Sequence, residues 1–404
     1  MHLRRCGMKT FVLVTDAQPR MTLAVVRSLG QKGVNVLAAE KTRFAPALFS
    51  KYCKVGLVNP DPQKYPDEFM QWLIATLDKY PCEMCIPVDD ATLDVIMKHR
   101  HKLERLTSFV LPPLEGYKVA SDKGLSVLAA QQADILCPHT IIPDNLKELD
   151  VWIKNLEFPV IIKPRKSSGS RGIKYVEDKE YFKKAYLQVH KEYPFPIVQK
   201  YIQPVEKYGV CLLFNSASEL RASFVQREVR HYPVNMGTSV VQESVYYPKL
   251  VEIGSKLMKS LKWTGIVELD FLVDQQGKAY FMEINPRFWG SLQMAVLAGV
   301  DFPWLLYRLA KEGDIEEVHT YKTGILCRWL LPGDILHLLT NKNRLSMNPS
   351  FLAGKKDNVY DDILSWDDPL PTLGFIMSCF RYLFDGQMWR FVLKGDHYEK
   401  HNNG

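Results

Sequence analysis

No run of five or six basic residues occurs in these 404 residues, and the formal charge of +7 is dispersed along the chain. That weighs against nucleic acid as the main ligand. No apolar segment is long enough to cross a bilayer. The nearest approach, Leu373 to Phe384, is short and broken by Arg381, which predicts a helix packed on the core in preference to one lying on a membrane surface. Met1-His-Leu-Arg-Arg5 leads into a strand-like Phe11–Val14 without a long apolar stretch, and the eight cysteines are scattered. The expectation is a cytoplasmic chain with reduced thiols. Cys82-Glu-Met-Cys85 has no second pair at zinc spacing, so it reads as the start of a buried strand. The first strand-to-helix turn, Thr15 to Arg20, lacks GxGxxG, which makes a dinucleotide-dependent oxidoreductase a poor fit. There is no Walker A spacing and no convincing Ser/His/Asp or Cys/His arrangement.

What the chain does contain is a stretch from Gly265 to Ser291 in which acids alternate with apolar residues along two arms of a β-hairpin. Val267, Leu269 and Phe271 share one face of the first arm, and Glu268 and Asp270 the other. With an even number of unpaired residues around Gly277, Asp270 lies opposite Glu283 and Glu268 opposite Asn285. Three carboxylates and an amide on one face repel unless a cation lies between them, and hard oxygen ligands point to Mg²⁺ or Mn²⁺. Arg287 follows across a proline-fixed turn.

Upstream, Thr10–Asp16, Met21–Lys32 and Val34–Ala39 predict a βαβ unit of a parallel sheet. Asp16, Arg20, Asp89 and Asp90 would line its carboxyl edge, or act as helix caps and surface pairs. Leu111-Pro-Pro113 marks a boundary, after which Ser121 to Leu136 predicts a helix. Between the strands Pro159–Pro164 and Ile173–Val176 lies a glycine- and serine-rich loop, residues 165–172, with Lys163 at its entrance and Lys166 and Arg171 within it. Such a loop can aim main-chain N–H groups at a phosphate while the cations neutralise it. Strand Pro196–Ile202 ends in polar residues whose main chain can meet an adenine. Gly209–Phe214 and Arg221–Gln226 read as paired strands, Arg227–Pro233 as an arginine-bearing loop, and Ser291–Leu309 as one helix. The remainder carries no chemical motif.

In this order, Asp122-Lys123, Val160–Pro164 with the loop to Gly172, Val198–Ile202, Glu268/Asp270 and Glu283-Ile-Asn285 resemble the ATP-grasp superfamily, near the branch similar to the large subunit of carbamoyl phosphate synthetase and to D-aspartate ligases. The resemblance implies an α/β N-terminal Rossmann-like domain at 8–111, a two-lobed α+β ATP-grasp domain at 112–312 and an appended region at 313–404. It implies that Lys123 and Lys163 contact ATP phosphates, that Lys166, Ser167, Ser168, Gly169, Ser170, Arg171 and Gly172 close over them, and that Gln199, Lys200, Tyr201 and Ile202 hold the adenine above Met282. Asp270, Glu283 and Asn285, with Glu268 as the outer candidate, would carry two Mg²⁺ ions. Where many members hold the ribose with a glutamate, this chain has Lys207, with Glu206 adjacent.

Phosphoryl transfer is mainly positioning and charge neutralisation, so no nucleophilic side chain is required. In keeping with this, the resemblance implies an ATP-dependent carboxylate-amine ligase that forms an acyl phosphate and then an amide. Arg287 and Arg230 would grip the carboxylate and its acyl phosphate through their planar forks. An ATP-dependent carboxylase or kinase, or a non-catalytic nucleotide binder, is the alternative. The expected partners are a small-molecule carboxylate and amine, with a homodimer left open.

Overall fold

Apolar runs bounded by turn residues set three sheets in the computed structural model, which describes residues 10–382 apart from Ser168, Ser170, Asn235 and Met236, with main chain alone from 380 to 382. The first sheet comprises β1 (Phe11–Val14), β2 (Val36–Glu40), β3 (Cys53–Val58) and β4 (Cys82–Ile86) in the order β3-β2-β1-β4, all parallel. β1 is apolar throughout and β2 up to its last residue, Glu40, because helices cover both faces. Leu23, Val25 and Val26 of helix Arg20–Gln31 pack on one side, and Phe69, Leu73 and Ile96 of helices Pro66–Lys79 and Asp90–Leu103 on the other. The predicted βαβ unit is there, with ends displaced by a residue or two. Cys82 and Cys85 lie inside β4, where burial pushes the Cys82 thiol up to about 12 and Cys85 well above its usual value.

The second sheet comprises β5 (Thr140–Ile141), β6 (Val160–Lys163), β7 (Lys174–Val176) and β8 (Ile197–Lys200), ordered β5-β8-β6-β7 and antiparallel. Helix Lys179–Glu192 packs Phe182, Tyr186 and Val189 on Val160, Ile162 and Val198. The glycine-serine loop joins β6 to β7.

The third sheet has seven strands: β9 (Glu206–Phe214), β10 (Leu220–Tyr232), β11 (Thr238–Val245), β12 (Gly265–Val273), β13 (Ala279–Asn285), β14 (Leu326–Arg328) and β15 (Val359–Asp361), ordered β13-β12-β9-β10-β11-β14-β15. Two expectations need correction. Residues Arg227 to Tyr232 are not a loop but the second half of β10, because β11 pairs with them along their length. The helix expected from Ser291 to Leu309 is two, Leu292–Ala298 and Phe302–Glu312, separated where Gly299 takes φ 110° and Asp301 caps the second through the Trp304 N–H.

Beyond residue 313 the chain adds β14 and β15 to this sheet and returns to the first one. Arg27 makes a buried ion pair with Asp368 at 3.0 Å, and Ser50 Oγ donates to the same carboxylate at 2.7 Å. Among the described residues no helix is long and apolar enough to cross a membrane.

Candidate functional site

The acidic face of the hairpin has the expected pairing, Asp270 opposite Glu283 and Glu268 opposite Asn285. The route to that register differs from the one expected. The turn between Val273 and Ala279 holds five residues, 274–278, and a one-residue bulge at Met282 restores the alignment. Asp274 closes the turn by accepting from the N–H groups of Gln276 and Lys278, both at 2.9 Å, while Gly277 supplies φ 74°. On the neighbouring strand, Gly209 pairs with Asp270. A Cβ there would lie 2.8 Å from Glu268 Oε1 and 2.7 Å from Gln226 Nε2, so the absence of a side chain leaves room for the acids.

Burial and mutual repulsion dominate the electrostatics. Burial raises the Glu268 carboxyl to about 8, partly offset by Arg287, while Glu228 and Glu283 push it further up. Asp270 is raised well above its usual range by burial and by the charges of Glu268, Glu283 and Glu228. Glu283 goes the other way. Burial would raise it, but Lys123 and Lys163 hold it below the ordinary carboxylate value, Lys123 Nζ lying 2.9 Å from Glu283 Oε2. Asn285 Nδ2 donates to Asp270 at 3.1 Å and to Glu268 at 3.3 Å. Burial pushes the Lys163 amine down to about 8, and its Nζ donates to Gln199 Oε1 at 2.8 Å.

Lys123 connects two parts of the site. It opens helix Lys123–Gln132, whose cap Asp122 accepts from the Gly124 and Leu125 N–H groups and pairs with Arg165 at 2.9 Å. Besides meeting Glu283, Lys123 Nζ donates to the carbonyl of Ser167 in the loop at 2.8 Å. Lys166, Gly169 and Arg171 are exposed, and Gly172 takes φ 73° with Tyr193 and Pro164 pressed against it. Ser168 and Ser170 lie outside the described residues.

At the end of β8 the Lys200 N–H donates to His139 O and the Tyr201 N–H to Pro159 O, and the Tyr201 ring meets Tyr175 edge-on at 5.1 Å. Ile202 follows directly. Glu206 is engaged by Arg227 at 2.8 Å and by the Tyr208 hydroxyl at 2.5 Å, whereas the charge of the adjacent Lys207 reaches Lys163 and Glu228.

The two arginines part company. Arg287 Nε donates to Asp90 Oδ1 at 3.0 Å, and its charge, raised in pKa by Asp90, Asp89 and Glu268 despite burial, lies between the first sheet's edge and the acidic face. Arg230 is buried elsewhere. It donates to the Pro349 carbonyl at 2.9 Å and pairs with Asp334 at 3.1 Å, which takes it away from the acidic face and from the carboxylate it was expected to grip. Glu243 pairs with Arg227, and Glu228 lies 2.6 Å from His231. At the sheet edge Asp89 caps helix Asp90–Leu103, and Asp16 accepts from the Val88 and Asp89 N–H groups at 3.2 and 3.0 Å.

Sequence reasoning missed Glu228 and Gln226. Glu228 adds a fourth carboxylate whose charge is felt by Glu268, Asp270 and Glu283. Gln226 Nε2 donates to Glu268 at 2.8 Å and its oxygen accepts from Ser291 Oγ at 2.5 Å. The alternation Gln226, Glu228 was the available signal, hidden once the strand was ended at Gln226 and Glu228 was assigned to a loop.

The donor set suits a hard divalent cation in one respect, since buried oxygens that repel one another gain from a positive charge between them. Among the described residues, no group of three or more His, Cys, Asp or Glu side chains could hold a metal ion by itself. An ion held at these oxygens would need further ligands from outside the protein, such as phosphate oxygens and water, which Mg²⁺ commonly takes.

Residues 208–331, which contain this hairpin, match the family model described as "ATP-grasp in the biosynthetic pathway with Ter operon". The chain is 24% identical over 184 residues to the carbamoyl phosphate synthase large chain of Archaeoglobus fulgidus, covering 43% of this chain and 17% of that one. It is 27% identical over 161 residues to the D-alanine–D-alanine ligase of Aquifex aeolicus, covering 37% and 55%. The chain thus spans from under a fifth to about half of the length of the curated relatives it matches. Among solved structures, biotin carboxylase from Campylobacter jejuni in complex with β,γ-ATP superposes with a TM-score of 0.65 at 17% identity, over 78% of this chain and 74% of that one. Family model, relatives and fold agree with the order of sheets, loop and acidic hairpin, and together they support an ATP-grasp superfamily enzyme.

Proposed function

We propose that this protein is an ATP-dependent carboxylate-amine ligase acting on a small polar carboxylate, of the amino-acid class. The observation that carries the reading is the convergence of Lys123, Lys163 and Arg287 on the face formed by Glu268, Asp270, Glu283 and Asn285. Lys123 and Lys163 take the phosphates of ATP as point charges from separate segments. The loop from Lys166 to Gly172 covers them, and the main chain from Gln199 to Ile202 holds the base beside Met282. A divalent cation ligated by Asp270, Glu283 and Asn285, with Glu268 behind them, would offset the charge that builds up on the phosphates.

The substrate carboxylate attacks the γ-phosphorus, the bond to the β-phosphate oxygen breaks, and ADP leaves. The amine then attacks the acyl carbon, phosphate departs, and a proton is lost as the amide forms. Arg287 neutralises the carboxylate and the acyl phosphate in turn, its guanidinium fixed by Asp90. Arg230 supports this from a distance by holding the second half of β10 against Asp334 and Pro349. The covering loop keeps water from the acyl phosphate.

The test is ADP release from ATP and Mg²⁺ with a panel of amino acids, scored with and without an added amine. Release that needs both substrates, with an amide product by mass spectrometry, is the expected result. Release stimulated by bicarbonate in place of the amine would reassign the chain as a carboxylase.

A further inference from the structure

Amide formation needs the amine as a free base. In the proposed reaction Lys123, Lys163 and Arg287 serve the anions and the hairpin acids serve the cation, so the proton of the amine has no acceptor among them. The second half of β10 holds an unused one. Glu228 lies two residues along the strand from Gln226, which pairs with Gly209 in the row that contains Asp270, so Gln226 and Glu228 project from the acidic face. The ladder to β11 skips Val229, and this bulge returns His231, three residues on, to the side of Glu228. His231 Nε2 lies 2.6 Å from Glu228 Oε2.

That contact fixes the tautomer. Burial works against ionisation of Glu228, but the hydrogen bond and charge of His231, with the charge of Lys207, hold its carboxyl below the usual value. An ionised carboxylate can only accept, so the proton of the neutral imidazole is on Nε2 and Nδ1 keeps its lone pair. Among the described residues no hydrogen bond engages Nδ1, and the side chain is 13% exposed, which leaves it open to a small molecule. The main chain beneath is held, with His337 Nδ1 2.7 Å from the His231 carbonyl and Asn341 Nδ2 3.0 Å from His337 Nε2.

The pair also lies on the substrate side of the site. Ser239, the partner of His231 across the ladder, accepts from Arg20 Nη2 at 3.3 Å, and Arg20 Nε donates to the Gly290 carbonyl at 2.7 Å. One guanidinium thus ties the strand beside His231 to the segment that begins at Arg287. The charge of Glu228 reaches Glu268 and Glu283 as well.

We propose that His231, oriented by Glu228, is the general base that takes the proton of the amine substrate, an assignment that rests on the ligase reading. The ammonium gives one proton to Nδ1, and the freed lone pair forms the C–N bond. The C–O bond to phosphate breaks with its electron pair on phosphate, which takes the second proton from nitrogen. The imidazolium, paired with Glu228, then releases its proton to water. The charged groups around it are Glu228 on its own strand, Lys207 of β9 and Glu283 of β13, which act on Glu228, Arg20 at Ser239, and His337 of helix Ile335–Thr340.

Hydroxylamine separates the two half-reactions, because it is uncharged at neutral pH and traps an acyl phosphate as the hydroxamate without a base. With ATP, Mg²⁺ and a pool of the common amino acids, His231→Gln should form hydroxamate at the rate of the unaltered enzyme. Without hydroxylamine, its amide formation should fall by about two to four orders of magnitude. The residual amide rate should keep rising about tenfold per pH unit beyond the pH at which the unaltered enzyme levels off, since only amine already deprotonated in solution then reacts. Amide formation by the variant at the unaltered rate and with the unaltered pH profile overturns the inference. So does an equal loss of hydroxamate and amide, which would put His231 in phosphoryl transfer or in the fold. No hydroxamate from the unaltered enzyme with any of the acids would instead remove the ligase reading, and the inference with it.

Discussion

Gly209→Ala places one methyl group where the acidic face leaves least room. The new Cβ would lie 2.7 Å from Gln226 Nε2 and 2.8 Å from Glu268 Oε1, both closer than such contacts tolerate. Alanine in a strand interior recovers about 0.5–1 kcal/mol of chain entropy relative to glycine. Against that stand about 1–3 kcal/mol for overpacking and about 1 kcal/mol for a strained Gln226–Glu268 hydrogen bond. The net expectation is a loss of about 1–3 kcal/mol, since these costs overlap. Function should suffer more than the fold. Glu268 can retreat only toward Asn285 and Asp270, and a shift of about 1 Å in a positioned group costs on the order of a hundredfold in rate. Steady-state ADP release should show that loss in kcat/KM, while denaturant unfolding reads the small stability change. Wild-type values in both assays would mean that Glu268 does not sit against β9, and the register of the hairpin would have to be abandoned.

Glu283→Gln keeps the shape of the side chain but removes the charge that Lys123 meets at 2.9 Å; turnover should fall by about two to three orders of magnitude with the fold intact, and an active variant would remove Glu283 from the site. Lys163→Ala should weaken ATP binding by about 1.5–3 kcal/mol, one to two decades in Kd, as read by calorimetric titration. Glu40 is a buried acid pushed to about 7 by burial and by Asp16, itself raised to about 6. A raised folded-state pKa adds stability that is fully present below the unfolded value of 4.5 and is lost as pH climbs through about 7. Glu40→Gln should therefore stabilise the protein by about 1–3 kcal/mol at pH 8 and much less at pH 5 in thermal unfolding; equal shifts at both pH values would refute the ionised, buried carboxylate.

The parts legible in the sequence were those where local pattern and tertiary packing agree. The continuous apolar runs of β1 and β2 needed only helices on both faces, and the alternation from Val267 to Asp270 assigned one face to the core and one to the acids. Less legible was anything decided by a partner far along the chain. Arg227 to Tyr232 carries two arginines, a histidine and a glutamate, which by composition suggests a loop. β11 supplies the main-chain partners that make it a strand, and Asp334, more than 100 residues away, supplies the charge that buries Arg230. The Met282 bulge was equally hidden, because a five-residue turn and a compensating extra residue leave the same alternation at the acids.

The same long-range dependence shows how the acidic face is held. Arg287, just past the last acid-face residue, reaches Asp90 at the edge of the first sheet. Arg20, from the first helix, returns the contact by donating to the Gly290 carbonyl at 2.7 Å, and a Cβ on Gly290 would lie 2.9 Å from its guanidinium. The segment Pro286 to Ser291 is thus gripped from the first sheet at both ends. Arg20 is in turn fixed by stacking on Trp329 at 4.6 Å and by Asp362 at 3.3 Å, and Arg27 on the same helix is fixed by Asp368. Asp362 and Asp368 lie beyond residue 331, where the match to the family model ends. They are buried charges whose partners are arginines of the first helix, and removing one partner of such a pair leaves the other without compensation in a dry setting. The chain after residue 313 therefore acts on the hairpin through Arg20 and Gly290, although none of its described residues contributes a side chain to the acidic face itself.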